Sequence, residues 1–152
     1  MVVRIGLISD THGHLALDAV EALHDCDQVI HAGDIGQGVL DRLSRLAPVI
    51  AVRGNNDHLD PEASLPSSVS VDFEGVRVTV VHRMLDAPPD GWDVLVFGHS
   101  HRQFAEREGD RLMINPGAAG RMGFHERRSV AILEINGGLE WKFVDLGPRN
   151  GR

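Results

Sequence analysis

The first third of the chain alternates between short apolar runs and segments with apolar residues at helical spacing. The runs at 2–9, 28–32 and 48–52 predict buried strands, whereas 15–25 and 38–46 predict amphipathic helices. Parallel strands need a long connection, so this strand–helix order predicts a parallel sheet with crossover helices.

The remaining two thirds carry more strand patterns than helical ones. Segments 68–73 and 76–82 flank Glu74-Gly75, which predicts a tight hairpin. Further strand patterns cover 93–99, 102–108, 111–115, 129–135 and 139–146. A parallel α/β pattern in the first third and a strand-rich pattern in the rest of the chain predict two packed sheets flanked by helices. We expect a single domain over 1–147 and a frayed tail over 148–152.

Composition narrows the class of protein. The chain has 152 residues, 42% apolar and 24% charged, which is typical of one globular domain. Its net charge of −7 argues against stable nucleic-acid binding and against an anionic membrane surface. We find no signal-peptide pattern and no apolar run of about 18 residues. The single cysteine, Cys26, excludes an internal disulfide, so we expect a cytoplasmic location.

Side chains with metal-binding chemistry recur where predicted strands end. They are Asp10, His12, Asp34, Asn55, His82, His99 and His101. The carboxyl ends of strands in open α/β sheets form the crevice where ligands bind. Each residue alone is compatible with a turn or helix cap, but the repeated pattern predicts a metal site.

The composition of this set indicates which metals suit it. Carboxylate, amide and imidazole ligands without cysteine favour Mn, with Ni, Fe, Zn or Co as alternatives, and exclude a closed thiolate site. Seven candidates are too many for one ion. They suit two divalent ions that share a bridging carboxylate, about 3.5–4 Å apart as in other two-metal hydrolytic sites.

The ordered motifs D-x-H, G-D, G-N-x-D, H and G-H-x-H resemble those of the calcineurin-like metallophosphoesterase superfamily. The segment MINPGAAG at 113–120 is most similar to its small prokaryotic phosphodiesterase branch. The resemblance spans nearly the whole chain and implies a four-layer α-β-β-α sandwich of two mixed sheets flanked by helices.

The resemblance also implies roles for the seven candidates. One metal would be held by Asp10, His12 and His101, and the other by Asn55, His82 and His99, with Asp34 bridging both. A metal-bridging hydroxide would attack the phosphorus of a phosphoester. Asn55 is in addition a candidate substrate contact.

Two positions depart from related patterns. Asn56 stands where phosphoprotein phosphatases of the superfamily have a histidine that protonates the leaving group, which favours a phosphodiesterase role. Arg83 follows His82 where glycine is common, and Pro88-Pro89 predicts a reduced helix in this segment. Arg83 is a candidate phosphate contact, with a solvated loop arginine as the alternative. Asp57 is expected to support a histidine or the loop.

Further histidines have weaker claims on the site. His14, His58 and His125 could supply a proton to the leaving group, although cap or surface roles are favoured. His31 is expected to point into the fold. Residues His99 and His101 are expected in an extended segment, on the same side of the chain.

We therefore expect a dinuclear metal-dependent phosphodiesterase that acts on a small phosphodiester or nucleotide. The alternatives are a non-catalytic protein-interaction scaffold, as in the related retromer subunit, and a nuclease. The complete ligand set favours catalysis, and the lack of a basic groove disfavours a nuclease. Formation of a homo-oligomer stays open at this stage.

Overall fold

The computed structural model describes residues 2–150, and within them ten strands form two five-stranded mixed sheets. The strands in chain order are β1 (Val3–Ile8), β2 (Gln28–His31), β3 (Val49–Ala51), β4 (Ser68–Phe73), β5 (Val76–Val81), β6 (Val94–Val96), β7 (Gln103–Glu108), β8 (Arg111–Pro116), β9 (Arg127–Ile135) and β10 (Leu139–Pro148). The α-helices are α1 (Leu17–Leu23) and α2 (Val39–Ser44), and 3-10 helices cover Glu62–Ser64 and Met84–Asp86.

The first sheet has the order β10-β9-β1-β2-β3. Its strands β1, β2 and β3 are parallel, with α1 and α2 as the crossovers, which confirms the predicted parallel front. Strands β9 and β10 complete the sheet in antiparallel pairing. The carboxyl ends of β1 and β2 consequently lie side by side.

The second sheet has the order β4-β5-β6-β8-β7. The hairpin between β4 and β5 turns at Glu74 and Gly75, whose φ angles of 48° and 82° are those of a type I′ turn. Strands β5, β6 and β8 are parallel, so β5 and β6 also end at a common edge.

The two sheets bury a continuous core between them. Ile5 and Leu7 of the first sheet belong to the same buried cluster as Val80, Val96 and Ile114 of the second. A second cluster joins α1 and α2 to the outer face of the first sheet, through Ala19, Leu23, Val39 and Leu43. Burial of these apolar faces is what aligns the strand ends.

The outer face of the second sheet has only a thin cover. Val81, Leu95 and Phe97 pack there with Trp92, which comes from the loop that follows the 3-10 helix Met84–Asp86. The sandwich of two mixed sheets is confirmed, and the fourth layer contains this single helical turn, as the prolines at 88–89 led us to expect.

The chain end is tied to the fold as far as the structure describes it. Pro148 is the last residue of β10, and Arg149 donates its backbone N–H to Glu126 O at 2.9 Å. The predicted frayed tail began at 148, and its last residues, 151–152, lie outside the described residues. No helix within 2–150 is long and apolar enough to cross a membrane.

Candidate metal centre

The candidate ligands meet at the shared edge where four strands end. Asp10 follows β1, Asp34 follows β2 and His82 follows β5, while His99 and His101 follow β6. These residues come from both sheets, so the site lies across the top of the sandwich.

The side chains form two groups with metal-binding geometry. Within each group, one ligand atom per residue lies within 4.8 Å of the others. The first group is Asp10, His12 and His101, and the second is Asp34, His82 and His99. The division agrees with the assignment that the sequence motifs implied, and ligation itself stays a prediction.

Asp34 belongs to the second group and also faces the first. Its Oδ2 is 3.6 Å from His12 Nε2 of the first group and 3.3 Å from His82 Nε2 of the second. The Asp34 carboxylate is therefore close to candidate metal ligands of both groups, which is the position that a bridging ligand needs.

Asn55 and Asn56 have different surroundings. Asn55 is exposed and lines a cleft with Gly54, His82 and Arg83, beside the second group. Asn56 donates its backbone N–H to Asp34 Oδ1 at 2.8 Å and its side-chain Nδ2 to Asp34 Oδ2 at 3.0 Å. The sequence indicates only that Asn56 replaces an acid, whereas in the structure Asn56 orients the carboxylate of Asp34.

Two buried atoms at the centre fit a cation. Among residues 2–150, Asp10 Oδ1 and His82 Nε2 are buried without a hydrogen-bond partner. His82 Nδ1 donates to Ala32 O at 2.7 Å, which leaves a lone pair on Nε2 in the neutral ring. Ser9 Oγ and the His99 N–H both donate to Asp10 Oδ2, so Oδ1 is left for another partner. An unpartnered carboxylate oxygen beside an imidazole lone pair fits a metal ion.

The electrostatics keep both carboxylates ionised. Burial would raise the pKa of Asp34, but the neighbouring His82 imidazole and hydrogen bonds from Asn56 bring it well below the usual value. At Asp10 burial would likewise raise the pKa, but the neighbouring imidazoles of His101 and His82 lower it overall. Burial would lower the pKa of His82, yet its contact with Asp34 raises it. The negative charge at this edge calls for a cation.

The backbone is strained at the candidate ligands. Asp10, His12, Asp34, His99 and His101 have φ between 46° and 71°. The only other non-glycine residue with positive φ in the described chain is Glu74 of the hairpin. Such conformations cost on the order of 1–3 kcal/mol each and persist where the surrounding fold imposes them. Their concentration here indicates a functional site.

The conformation of His99 and His101 corrects one expectation. Strand β6 ends at Val96, and both histidines are left-handed rather than extended. The Gly98 N–H still donates to His82 O at 2.9 Å, in register with the β5–β6 pairing, and the chain turns out of the sheet at His99, where φ is 71°. The two imidazoles enter different ligand groups because of this turn, and not because of strand alternation.

Gly98 is required by a close approach. A Cβ at this position would overlap Ser9 Oγ and lie 2.7 Å from Asp10 Oδ2. The loop that carries His99 can therefore pack directly on Asp10 only with glycine at 98.

Asp57 supports the loops below the centre. It accepts hydrogen bonds from the N–H groups of Ile35 at 2.9 Å, Gly36 at 3.3 Å and Gly54 at 2.8 Å. It thereby joins the loop after β2 to the loop after β3. Of the two roles expected from the sequence, support of a histidine or of the loop, these contacts are those of the second.

The other polar candidates occupy different places. The Arg83 guanidinium donates to Asp86 at 3.0 Å, so it is already paired with a carboxylate. His58 is exposed and His14 is half-buried. His31 is fully buried, as expected, and contacts Thr11 Oγ1 at 3.0 Å.

His125 was favoured as a surface or cap residue, and this is wrong. It is buried, and its Nδ1 lies 3.2 Å from His101 Nδ1. Its Nε2 donates to Gly120 O at 2.9 Å. No local motif marks His125, because it reaches His101 through a loop 24 residues farther along the chain.

Two mixed sheets with carboxylate and imidazole groups at their common edge define the class of metal-dependent phosphoesterases. The model of the calcineurin-like phosphoesterase superfamily domain matches residues 3–138. The chain belongs to this superfamily.

Curated relatives and solved structures agree with this assignment. A probable metallophosphoesterase of Methanocaldococcus jannaschii is 34% identical over 93% of this chain and 81% of its own length. A phosphodiesterase of the same organism is 32% identical over 76% and 83% of the two chains. The structure of a novel archaeal phosphodiesterase superposes with a TM-score of 0.78 at 25% identity, covering 95% of this chain and 100% of that one.

Vps29 shares the fold as well. The structure of Entamoeba histolytica Vps29 complexed with Zn²⁺ has a TM-score of 0.74 at 20% identity, covering 94% of this chain and 99% of its own. At this identity the likeness shows the fold alone.

Proposed function

We propose that the protein is a dinuclear metal-dependent phosphodiesterase that acts on small phosphodiesters or nucleotides. The observation that carries this proposal is the position of Asp34, whose Oδ2 is within 3.6 Å of imidazoles from both ligand groups. Asp10, His12 and His101 hold one ion in this proposal, and Asn55, His82 and His99 hold the other. The cleft that Asn55 lines supports its place beside the second group.

Two divalent ions bound here supply an activated water at neutral pH and neutralise charge on the phosphoryl oxygens. The mixed oxygen and nitrogen donors favour Mn²⁺, with Ni, Fe, Zn or Co as alternatives. The chain itself keeps the ligands fixed. Asn56 and the Asp57-bound loops hold Asp34, while Ser9 and the His99 N–H hold Asp10.

The preference for diesters rests on the missing acid. Asn56 donates both its N–H groups to Asp34, and its amide cannot protonate a leaving alkoxide. Arg83 is a weak candidate for a phosphate contact because Asp86 already occupies its guanidinium. A cytoplasmic location is proposed from composition alone.

The test is hydrolysis by the Mn²⁺-loaded protein. We expect bis-p-nitrophenyl phosphate to be cleaved faster than p-nitrophenyl phosphate. Asp34→Asn should abolish both activities, whereas Asp41→Asn, on the exposed face of α2, should retain them. Equal rates in the wild type and Asp34→Asn, with or without metal, would sink the catalytic assignment and favour the non-catalytic scaffold.

A further inference from the structure

An open groove of about 440 Å³ adjoins the second ligand group, with His99 in its lining. Most of the remaining lining is apolar, and Met84, Leu85, Phe97 and Phe104 contribute to it. We call this feature the apolar groove. Its volume is in the range of small-molecule sites, which combine an apolar lining with a few polar groups.

Three apolar side chains of the groove are exposed to solvent and do not belong to the folded core. Leu85 is 90% exposed, Met84 50% and Phe104 39%. They are exposed because the segment after His82 forms only one 3-10 turn, Met84–Asp86, and leaves this part of the second sheet uncovered. Grouped exposed apolar side chains beside a polar site are typical of ligand contacts.

Two arginines line the groove, and only one of them is already paired with a carboxylate. Arg83 is paired with Asp86. Arg102 also lines the groove, and its guanidinium makes no hydrogen bond or ion pair within the described chain. A cation without a partner next to an apolar surface suits a ligand that has both a negative charge and an apolar part.

We propose that the apolar groove binds an aromatic ring, such as a nucleobase, carried by a phosphodiester whose phosphate lies at the two ligand groups. This inference rests on the proposed function. Phe104 favours an aromatic occupant, since its ring packs against Phe97 at 6.0 Å between centroids and 57° between planes and still remains partly open. An aromatic ring gains both stacking on Phe104 and contact with the Arg102 guanidinium.

The first test compares p-nitrophenyl phosphodiesters that share one leaving group. Their second group is methyl, hexyl or thymidin-5′-yl. We expect kcat/KM for the thymidyl ester to exceed that for the methyl ester by about tenfold or more, as base stacking predicts. The hexyl ester should lie between them.

Variants assign this selectivity to the groove. Leu85→Asp and Phe104→Ala should each bring the thymidyl-to-methyl ratio of kcat/KM toward one. Val2→Ser is the control, because Val2 is an exposed apolar residue just before β1, at the end of that strand away from the candidate ligands. It should leave the ratio unchanged. Arg102→Gln should lower the ratio as well, and Arg107→Gln at the far end of β7 should not.

The outcomes separate the groove from the proposed function. If the wild type hydrolyses all three esters with a thymidyl-to-methyl ratio of kcat/KM near one, the proposed role of the groove is wrong and the proposed phosphodiesterase activity still holds. A hexyl ester that equals or exceeds the thymidyl ester would overturn the aromatic assignment.

Absence of any hydrolysis would overturn the proposed function, and the groove is then judged by calorimetric binding. Thymidine 5′-monophosphate should bind about tenfold more tightly than deoxyribose 5-phosphate, and Leu85→Asp should remove the difference. Equal affinities of the two compounds would contradict the inference.

Discussion

At the scale of single residues, His125 selects the tautomer of the candidate ligand His101 through a hydrogen bond. Gly120 O can only accept, so His125 Nε2 carries the proton and its Nδ1 accepts from His101 Nδ1–H. Burial lowers the pKa of His125 and thereby favours the neutral ring that these two hydrogen bonds require. His101 Nε2 is left with its lone pair, 3.4 Å from Asp10 Oδ1.

We predict that His125→Ala weakens metal binding while the ligands themselves remain. Loss of a hydrogen bond that orients a ligand typically costs about 10–100-fold in affinity. Titration calorimetry with Mn²⁺ measures the change, and His58→Ala, at an exposed position, is the matched control. Unchanged affinity in His125→Ala would show that the bond does not orient His101.

His31 links residue chemistry to acid stability. Its Nδ1 accepts from the Gly33 N–H at 3.1 Å, and its Nε2 donates to Thr11 Oγ1, whose own proton goes to Ile35 O. Both nitrogens are satisfied only in the neutral ring. Burial lowers the pKa of His31 to about 4, from 6.5 in the unfolded chain.

A depressed folded pKa means that the unfolded chain binds the extra proton first. The contribution of His31 is therefore fully present above pH 6.5 and is lost as the pH falls toward 4. It amounts to about 3 kcal/mol in the free energy of unfolding. The pKa values of Asp10 and Asp34 are lowered from 3.8, so these carboxylates affect the pH dependence of stability mainly below the range between pH 4 and 6.5.

We predict that His31→Gln flattens the pH dependence of stability between pH 4 and 6.5. Urea unfolding in EDTA measures the free energy of unfolding at each pH. Subtracting the wild-type values from those of the variant removes the contributions of the other histidines, which both proteins share. His24→Gln, at an exposed position, should keep the wild-type slope. An unchanged slope in His31→Gln would refute the assignment.

At the scale of elements, central strands such as β1 were predictable because burial on both faces leaves uninterrupted apolar runs, and the edge strand β4 was predictable because its apolar and polar residues alternate. Segment 68–73 matches β4 residue for residue, and the other strands and helices shift by a few residues at their ends. The largest shift is at 93–99, where β6 covers only Val94–Val96. The turn after it brings the His99 N–H onto Asp10 Oδ2, a contact 89 positions away along the chain that local sequence cannot reveal.

This turn gives a prediction for Gly98→Ala. The new methyl group would meet Ser9 and Asp10 and displace a candidate ligand, so metal affinity should fall at least tenfold and the protein should lose about 1–3 kcal/mol. Gly138→Ala is the control, because a Cβ there meets nothing within 4 Å. Calorimetry and urea unfolding report the two effects, and equal behaviour of the two variants would contradict the packing argument.

At the scale of the whole molecule, the sandwich brings together residues that are far apart in sequence. The His99 N–H bonds Asp10 across 89 positions, and His82 reaches Ala32 across 50. The meeting of six candidates in two groups was predictable because each follows an apolar run or stands in a compact motif, whereas ligation by them and by Asn55 stays a prediction. His125, Asn56 and the apolar groove were not, since their roles depend on which loops meet above the sheets.

The central claim is that this edge holds two divalent ions close together, with Asp34 between them. The most direct measurement is an electron paramagnetic resonance titration of the metal-free protein with Mn²⁺. We predict binding of two ions per chain, with the exchange-coupled spectrum of neighbouring Mn²⁺ ions at saturation. Saturation at one ion per chain, or two ions with uncoupled spectra, would contradict the dinuclear centre.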